Sequence, residues 1–70
     1  MASQYTAVIK QEDGWWIGWV EEVSGVNCQE RTRAELLDTL QATLREAIDL
    51  NRQDALSAAG PEYIEEKIGV

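Results

Sequence analysis

Apolar and polar residues alternate from Gln4 to Lys10, with Tyr5, Ala7 and Ile9 on one side and Thr6, Val8 and Lys10 on the other. A period of two predicts a strand. Gln11-Glu12-Asp13-Gly14 comes next, and Asp-Gly between two apolar runs is a strong hairpin signal, because a tight turn needs positive φ. Trp15-Trp16-Ile17-Gly18-Trp19-Val20 then reads as the returning strand of an antiparallel pair.

That second strand is apolar on both sides. Successive strand residues point to opposite faces. Trp15, Ile17 and Trp19 therefore share one face, and Trp16, Gly18 and Val20 share the other. A one-sheet domain with one helix covers only one of them. Either face is open to assignment from the pattern alone, since hairpin register decides which lies under the helix.

Glu21 to Gly25 reads as a connection, with Gly25 in a conformation that other residues resist. Val26-Asn27-Cys28-Gln29 is a short third strand candidate. Thr32-Arg33-Ala34-Glu35 is a capping box, in which the Thr32 hydroxyl accepts from the Glu35 N–H and the Glu35 carboxylate reaches back to the Thr32 N–H. Leu37, Leu40, Leu44 and Ile48 then recur at helical steps, widened by Leu36 and Ala47, while Arg33, Asp38, Gln41, Arg45, Asp49 and Arg52 fall on the solvent side. The helix ends near Asn51 or continues to Ala59, and Gly60-Pro61 stops it in either case. Glu62 to Val70 alternates again and predicts a fourth strand at a sheet edge. The expected fold is α+β, in the order β-β-β-α-β with one long helix on one face, as a single domain over residues 1–70.

Seventy residues make a thin core, and chains of this size often need disulfides, metal or oligomerisation. One cysteine and no histidine argue against the first two, which leaves a homo-oligomer. No apolar run reaches membrane-spanning length, and Met1-Ala2-Ser3-Gln4 has no signal-peptide pattern, so a cytoplasmic protein with no membrane partner is expected. The net charge of −7 disfavours direct nucleic-acid binding and favours a basic protein partner. The same charge also serves plain solubility.

Catalytic chemistry has little to work with. There is no histidine for acid–base work near neutral pH, and Ser3, Ser24 and Ser57 have no base beside them. Cys28 reads as a small packed thiol; a reactive one needs cations, and only Arg31 and Arg33 are near in sequence. Glu21, Glu22, Glu62, Glu65 and Glu66 are weighed as magnesium ligands, but adjacent carboxylates on loops and surface strands are usually solvated. No phosphate-binding glycine motif occurs. The expectation is no enzyme, no cofactor and no metal. The tryptophans serve either as core or as interface anchors, where tryptophan is enriched; base stacking is a third use, opposed by the acidic charge.

Tyr5-Thr6-Ala7-Val8-Ile9, Asp13-Gly14-Trp15-Trp16, Gly25 leading to Gln29 and Thr32, and Glu35-Leu36-Leu37 with Ala47-Ile48 form an ordered set. In this order the segment from Tyr5 to Ile48 resembles the HicB-like antitoxin family of bacterial type II toxin–antitoxin systems. The family often has proline where Glu21 and Ser24 stand, and glycine where Glu30 stands. The resemblance implies a partial ribonuclease-H-like fold without the nuclease's catalytic carboxylates. It implies binding and neutralisation of a small basic HicA-type toxin that cleaves mRNA, and assembly into dimers or tetramers. Many members carry a DNA-binding segment after this domain, and no separate one is expected here. Trp16, Trp19, Glu21 and Glu22 are the candidate partner or oligomer interface. The alternative is a non-enzymatic oligomeric structural or regulatory protein of the same fold with no toxin partner. A degenerate nuclease using carboxylates and magnesium is the third option.

Overall fold

The computed structural model describes residues 4–69. Strands β1 (Ala7–Glu12), β2 (Trp15–Val20) and β3 (Asn27–Glu30) form an antiparallel sheet in the order β1-β2-β3. Helix α1 (Arg33–Ala59) follows. The architecture is a small α+β fold. Among the described residues, no helix is long and apolar enough to cross a membrane.

The first hairpin closes through two residues. Asp13 and Gly14 both have positive φ, 52° and 80°, the requirement of a type I′ turn. So tight a turn lets pairing run to Glu12↔Trp15. The first strand is thus shifted from the expected Gln4–Lys10: it begins at Ala7 and includes Gln11 and Glu12, which the pattern had placed in the turn. The third strand is likewise shifted by one residue. Val26 precedes it, fully buried, and its carbonyl accepts from the Val20 N–H at 3.3 Å. Gly25, at φ 84°, allows the chain to reverse there.

Register assigns the two faces of β2. Ile9 lies opposite Gly18, and Gly18 opposite Cys28. A β-carbon placed on Gly18 would stand 3.0 Å from both Ile9 Cγ2 and Leu40 Cδ1, and 3.1 Å from Leu36 Cδ2. Trp16, Gly18 and Val20 therefore face the helix. Trp15, Ile17 and Trp19 face away from it. Gly18 is what lets the helix approach the central strand closely.

The buried core is Val20, Val26, Leu36 and Leu40, with Ile9, Trp16, Val23, Cys28, Leu44 and Ala47 packed around it. Leu36 belongs at the centre of the helical stripe and Leu37 at its margin, where it is 37% exposed. The expected stripe put them the other way round. Steps of four and three from Leu36 through Leu40 and Leu44 to Ala47 stay nearest one line along the helix. Beside the apolar contacts, Thr39 Oγ1 donates to Glu30 Oε2 at 2.7 Å, and Cys28 Sγ donates to Thr43 Oγ1 at 3.6 Å. These bonds tie β3 to successive helical turns.

Thr32 caps the helix: its hydroxyl oxygen accepts from the Glu35 N–H at 3.2 Å and donates to Glu35 Oε1 at 2.8 Å. The carboxylate thus meets the hydroxyl, where the capping-box pattern had it reach the Thr32 N–H. At the other end the longer of the two expected helices forms. Gly60 ends it with φ 81° and donates its N–H to the Ser57 carbonyl at 3.3 Å.

The expected fourth strand does not form among the described residues. Glu62–Gly69 lies outside any sheet, and Val70 lies outside the described residues, as do Met1–Ser3. The reason is position. The helix is 27 residues long, roughly 40 Å at about 1.5 Å per residue, whereas a six-residue strand spans roughly 20 Å. The chain leaves the helix far from any strand. The molecule is accordingly elongated, 50 × 22 × 15 Å, with a radius of gyration of 15.1 Å. A compact chain of this length has a radius near 11 Å.

Candidate functional site

The sheet face turned away from the helix is the candidate site. Strand alternation brings Val8, Lys10 and Glu12 of β1, Trp15, Ile17 and Trp19 of β2, and Asn27 and Gln29 of β3 onto it. Trp19 sits on the central strand, between Val8 and Asn27, and is 40% exposed. Val8, Trp15 and Ile17 are half-buried. A long polar neighbour covers the Trp15 ring.

Arg31 supplies part of that cover. Its guanidinium lies over the Trp15 ring, with Cζ 3.6 Å from the ring centroid, and Nη1 donates to the Gly14 carbonyl at 3.5 Å. Arg31 stands one step beyond the Trp16↔Glu30 pair, directly across from Trp15. On β1, Lys10 Nζ pairs with Glu12 Oε2 at 3.3 Å; both are exposed, and such pairs stabilise little. The face therefore has an apolar centre of Val8, Ile17 and Trp19 with charged groups at its rim, the composition of a protein-binding surface.

The four residues expected at an interface do not lie together. Trp19 is on the open face. Trp16 is on the other, half-buried against the core. Glu22 is engaged within the fold: its Oε1 accepts from the Thr6 N–H and its Oε2 from the Thr6 hydroxyl, both at 2.7 Å. These bonds favour the charged form and hold the Glu22 carboxyl below its ordinary pKa, the backbone N–H contributing most. The neighbouring Glu21 N–H donates to the Thr6 carbonyl at 3.0 Å. Glu22 thus fastens the start of β1 to the end of β2, and Glu21 is exposed beside it.

Sequence reasoning placed Ile17 with Trp15 and Trp19 but missed Arg31 and Val8 as members of the site. The signal for Arg31 was its distance from Trp15 across the second turn, which becomes readable only once the β2–β3 register is fixed. Cys28 is half-buried on the helix side of β3, beside Thr43, and belongs to the packing. Among the described residues, no group of three or more His, Cys, Asp and Glu side chains is arranged to hold a metal ion.

No protein-family model matches the chain, and no curated protein or solved structure matches it.

Proposed function

We propose that this chain acts by binding another protein, as a HicB-like antitoxin domain that neutralises a small basic RNA-cleaving toxin. The observation that carries the reading is the open sheet face, with Trp19 exposed at its centre beside Val8 and Ile17. The net charge of −7 fits a basic partner, which it would attract and steer. The order of three antiparallel strands and a long helix supports reading the fold as a partial ribonuclease-H-like one. On this account the net negative charge of the chain draws in the basic toxin, and an apolar group of the toxin covers Trp19. Inhibition is then steric: the bound domain keeps RNA from the toxin's active site. The test is coexpression with the protein encoded next to this chain's gene, which on this reading is small and basic. Copurification, with relief of that protein's toxicity, supports the reading; a neighbour that is neither bound nor relieved of toxicity refutes it.

A further inference from the structure

β1 is an edge strand, paired only with β2, and α1 packs chiefly on β2 and β3. The other edge strand, β3, has four residues, and very short edges offer little to pair with. β1 has six, in unbroken register with β2 and without proline. Thr6 accepts from the Glu21 N–H, so Val8, Lys10 and Glu12, in phase with Thr6, turn their backbone groups toward β2. Alternation then turns the N–H and C=O groups of Ala7, Ile9 and Gln11 to the unpaired edge. An antiparallel strand of another chain can take them.

The charges along β1 decide which strand fits. Thr6, Val8, Lys10 and Glu12 share the open face. Thr6 holds the Glu22 carboxylate, its N–H and its hydroxyl each donating at 2.7 Å, so this end of the strand is anionic. Lys10 stands toward the other end, in an exposed pair with Glu12 that stabilises little. Val8 lies midway between Thr6 and Lys10. A two-fold axis at Val8 therefore sets Val8 against Val8, and Lys10 of each copy against Thr6 of the other, beside its Glu22. Opposite charges then meet twice. An axis at Ile9 instead sets Glu12 against Thr6, beside Glu22, and an axis at Lys10 sets Lys10 against Lys10. Like charges directly opposite destabilise a pair of strands. An axis at Ala7 shortens the overlap and sets Lys10 against Gln4. The strand is thus complementary to itself in one register. On the helix side that register sets Ile9 of one copy against Ala7 of the other, next to a hollow of about 220 Å³ that Ala7 lines with Tyr5, Val20, Leu40 and Leu44.

We infer that two copies of this chain join β1 to β1, antiparallel about a two-fold axis at Val8, in one six-stranded sheet. Ala7 and Ile9 of each copy form hydrogen-bonded pairs with Ile9 and Ala7 of the other. Lys10 of each copy reaches Glu22 of the other. The two helices, packed chiefly on β2 and β3, flank the seam. The two open faces run together as one. The inference does not rest on the toxin reading, because it uses the edge of the sheet and leaves the open face free.

Light scattering and sedimentation at about 0.15 M salt, where repulsion between the two net charges is screened beyond about 8 Å, test it with substitutions at two exposed positions. Ala7→Pro removes an N–H that faces only the free edge, so it blocks the seam and keeps the β1–β2 ladder. Lys10→Glu sets a carboxylate beside Glu22 of the other copy. The expected result is twice the 7.9 kDa chain mass for the unmodified protein and the single-chain mass for Ala7→Pro. Lys10→Glu should weaken the dimer at least tenfold. The Ile9 amide should exchange at least tenfold more slowly in the unmodified dimer than in Ala7→Pro. An unmodified chain that is monomeric overturns the inference, as does a dimer that survives Ala7→Pro. Lys10→Glu that dimerises as tightly as the unmodified chain also overturns it, and this result decides if circular dichroism shows Ala7→Pro to be unfolded.

Discussion

Arg31 lays its guanidinium on Trp15, Cζ 3.6 Å from the ring centroid, on the sheet face that the helix leaves uncovered. The contact shields one tryptophan of that face and leaves Trp19 as its exposed one. An exposed cation–π pair contributes about 0.5–1 kcal/mol. Arg31→Ala should therefore lower stability by no more than about 1 kcal/mol in a urea titration. It should also shift the tryptophan fluorescence to longer wavelength as the Trp15 ring meets water. Unchanged emission would show that the pair is not kept in solution.

Gly18 sets how closely the helix lies on β2. Its substitution by alanine puts a methyl against Ile9, Leu36 and Leu40 at once, and overpacking of this kind costs about 1–3 kcal/mol. Reduced chain entropy in the unfolded state returns about 0.4–1 kcal/mol. Gly18→Ala should then be net destabilising by about 1 kcal/mol, and Leu36→Ala, which empties the fully buried centre, by about 2–5 kcal/mol. Thermal unfolding followed by far-UV circular dichroism separates the two. A stabilised Gly18→Ala variant would mean that the core relaxes around the methyl.

The two faces of β2 predict opposite phenotypes for adjacent tryptophans. Truncating a fully buried tryptophan costs about 3–5 kcal/mol. Trp16 is half-buried against the core, so Trp16→Ala should cost about 2 kcal/mol of stability. Trp19→Ala should change stability by less than about 1 kcal/mol and weaken partner binding instead, by more than about tenfold if Trp19 is an interface anchor. Paired denaturation and binding titrations give both quantities. Equal stability losses would place both side chains in the core.

Glu22 makes the β1–β2 junction sensitive to acid. Its folded pKa lies below its unfolded value, so its bonds to Thr6 stabilise the fold above the ordinary glutamate range and lose that effect as pH falls through the folded pKa. Exchange at the Thr6 amide, corrected for its intrinsic pH dependence, should show protection falling below the ordinary glutamate range. In Glu22→Gln that acid-dependent step should vanish. A step of the same size in the variant would assign it to another carboxyl group.

Much of the fold is legible in the sequence because local rules act there. Asp13-Gly14 dictates the turn, Thr32 the helix start and Gly60 its end, each through backbone geometry that few residues satisfy. Leu36 against Leu37 was harder, since both lie near one apolar arc and only the sheet beneath decides between them. The 62–69 segment has the alternation of a strand, yet pairing needs a neighbour, and the length of α1 carries the segment away from its own sheet. The site followed the same division. Trp19 was singled out by its surplus of apolar surface, but its separation from Trp16 and its grouping with Val8 and Arg31 required the register.

Toxin neutralisation through the open sheet face is tested most directly by RNA cleavage. On the proposed reading, the gene beside this chain's own encodes a small basic protein that cleaves RNA alone and is inhibited by one equivalent of the unmodified chain. Inhibition by Trp19→Ala should require at least about tenfold more protein, the loss expected for an interface anchor. Cleavage that proceeds undiminished in excess unmodified chain would contradict the account.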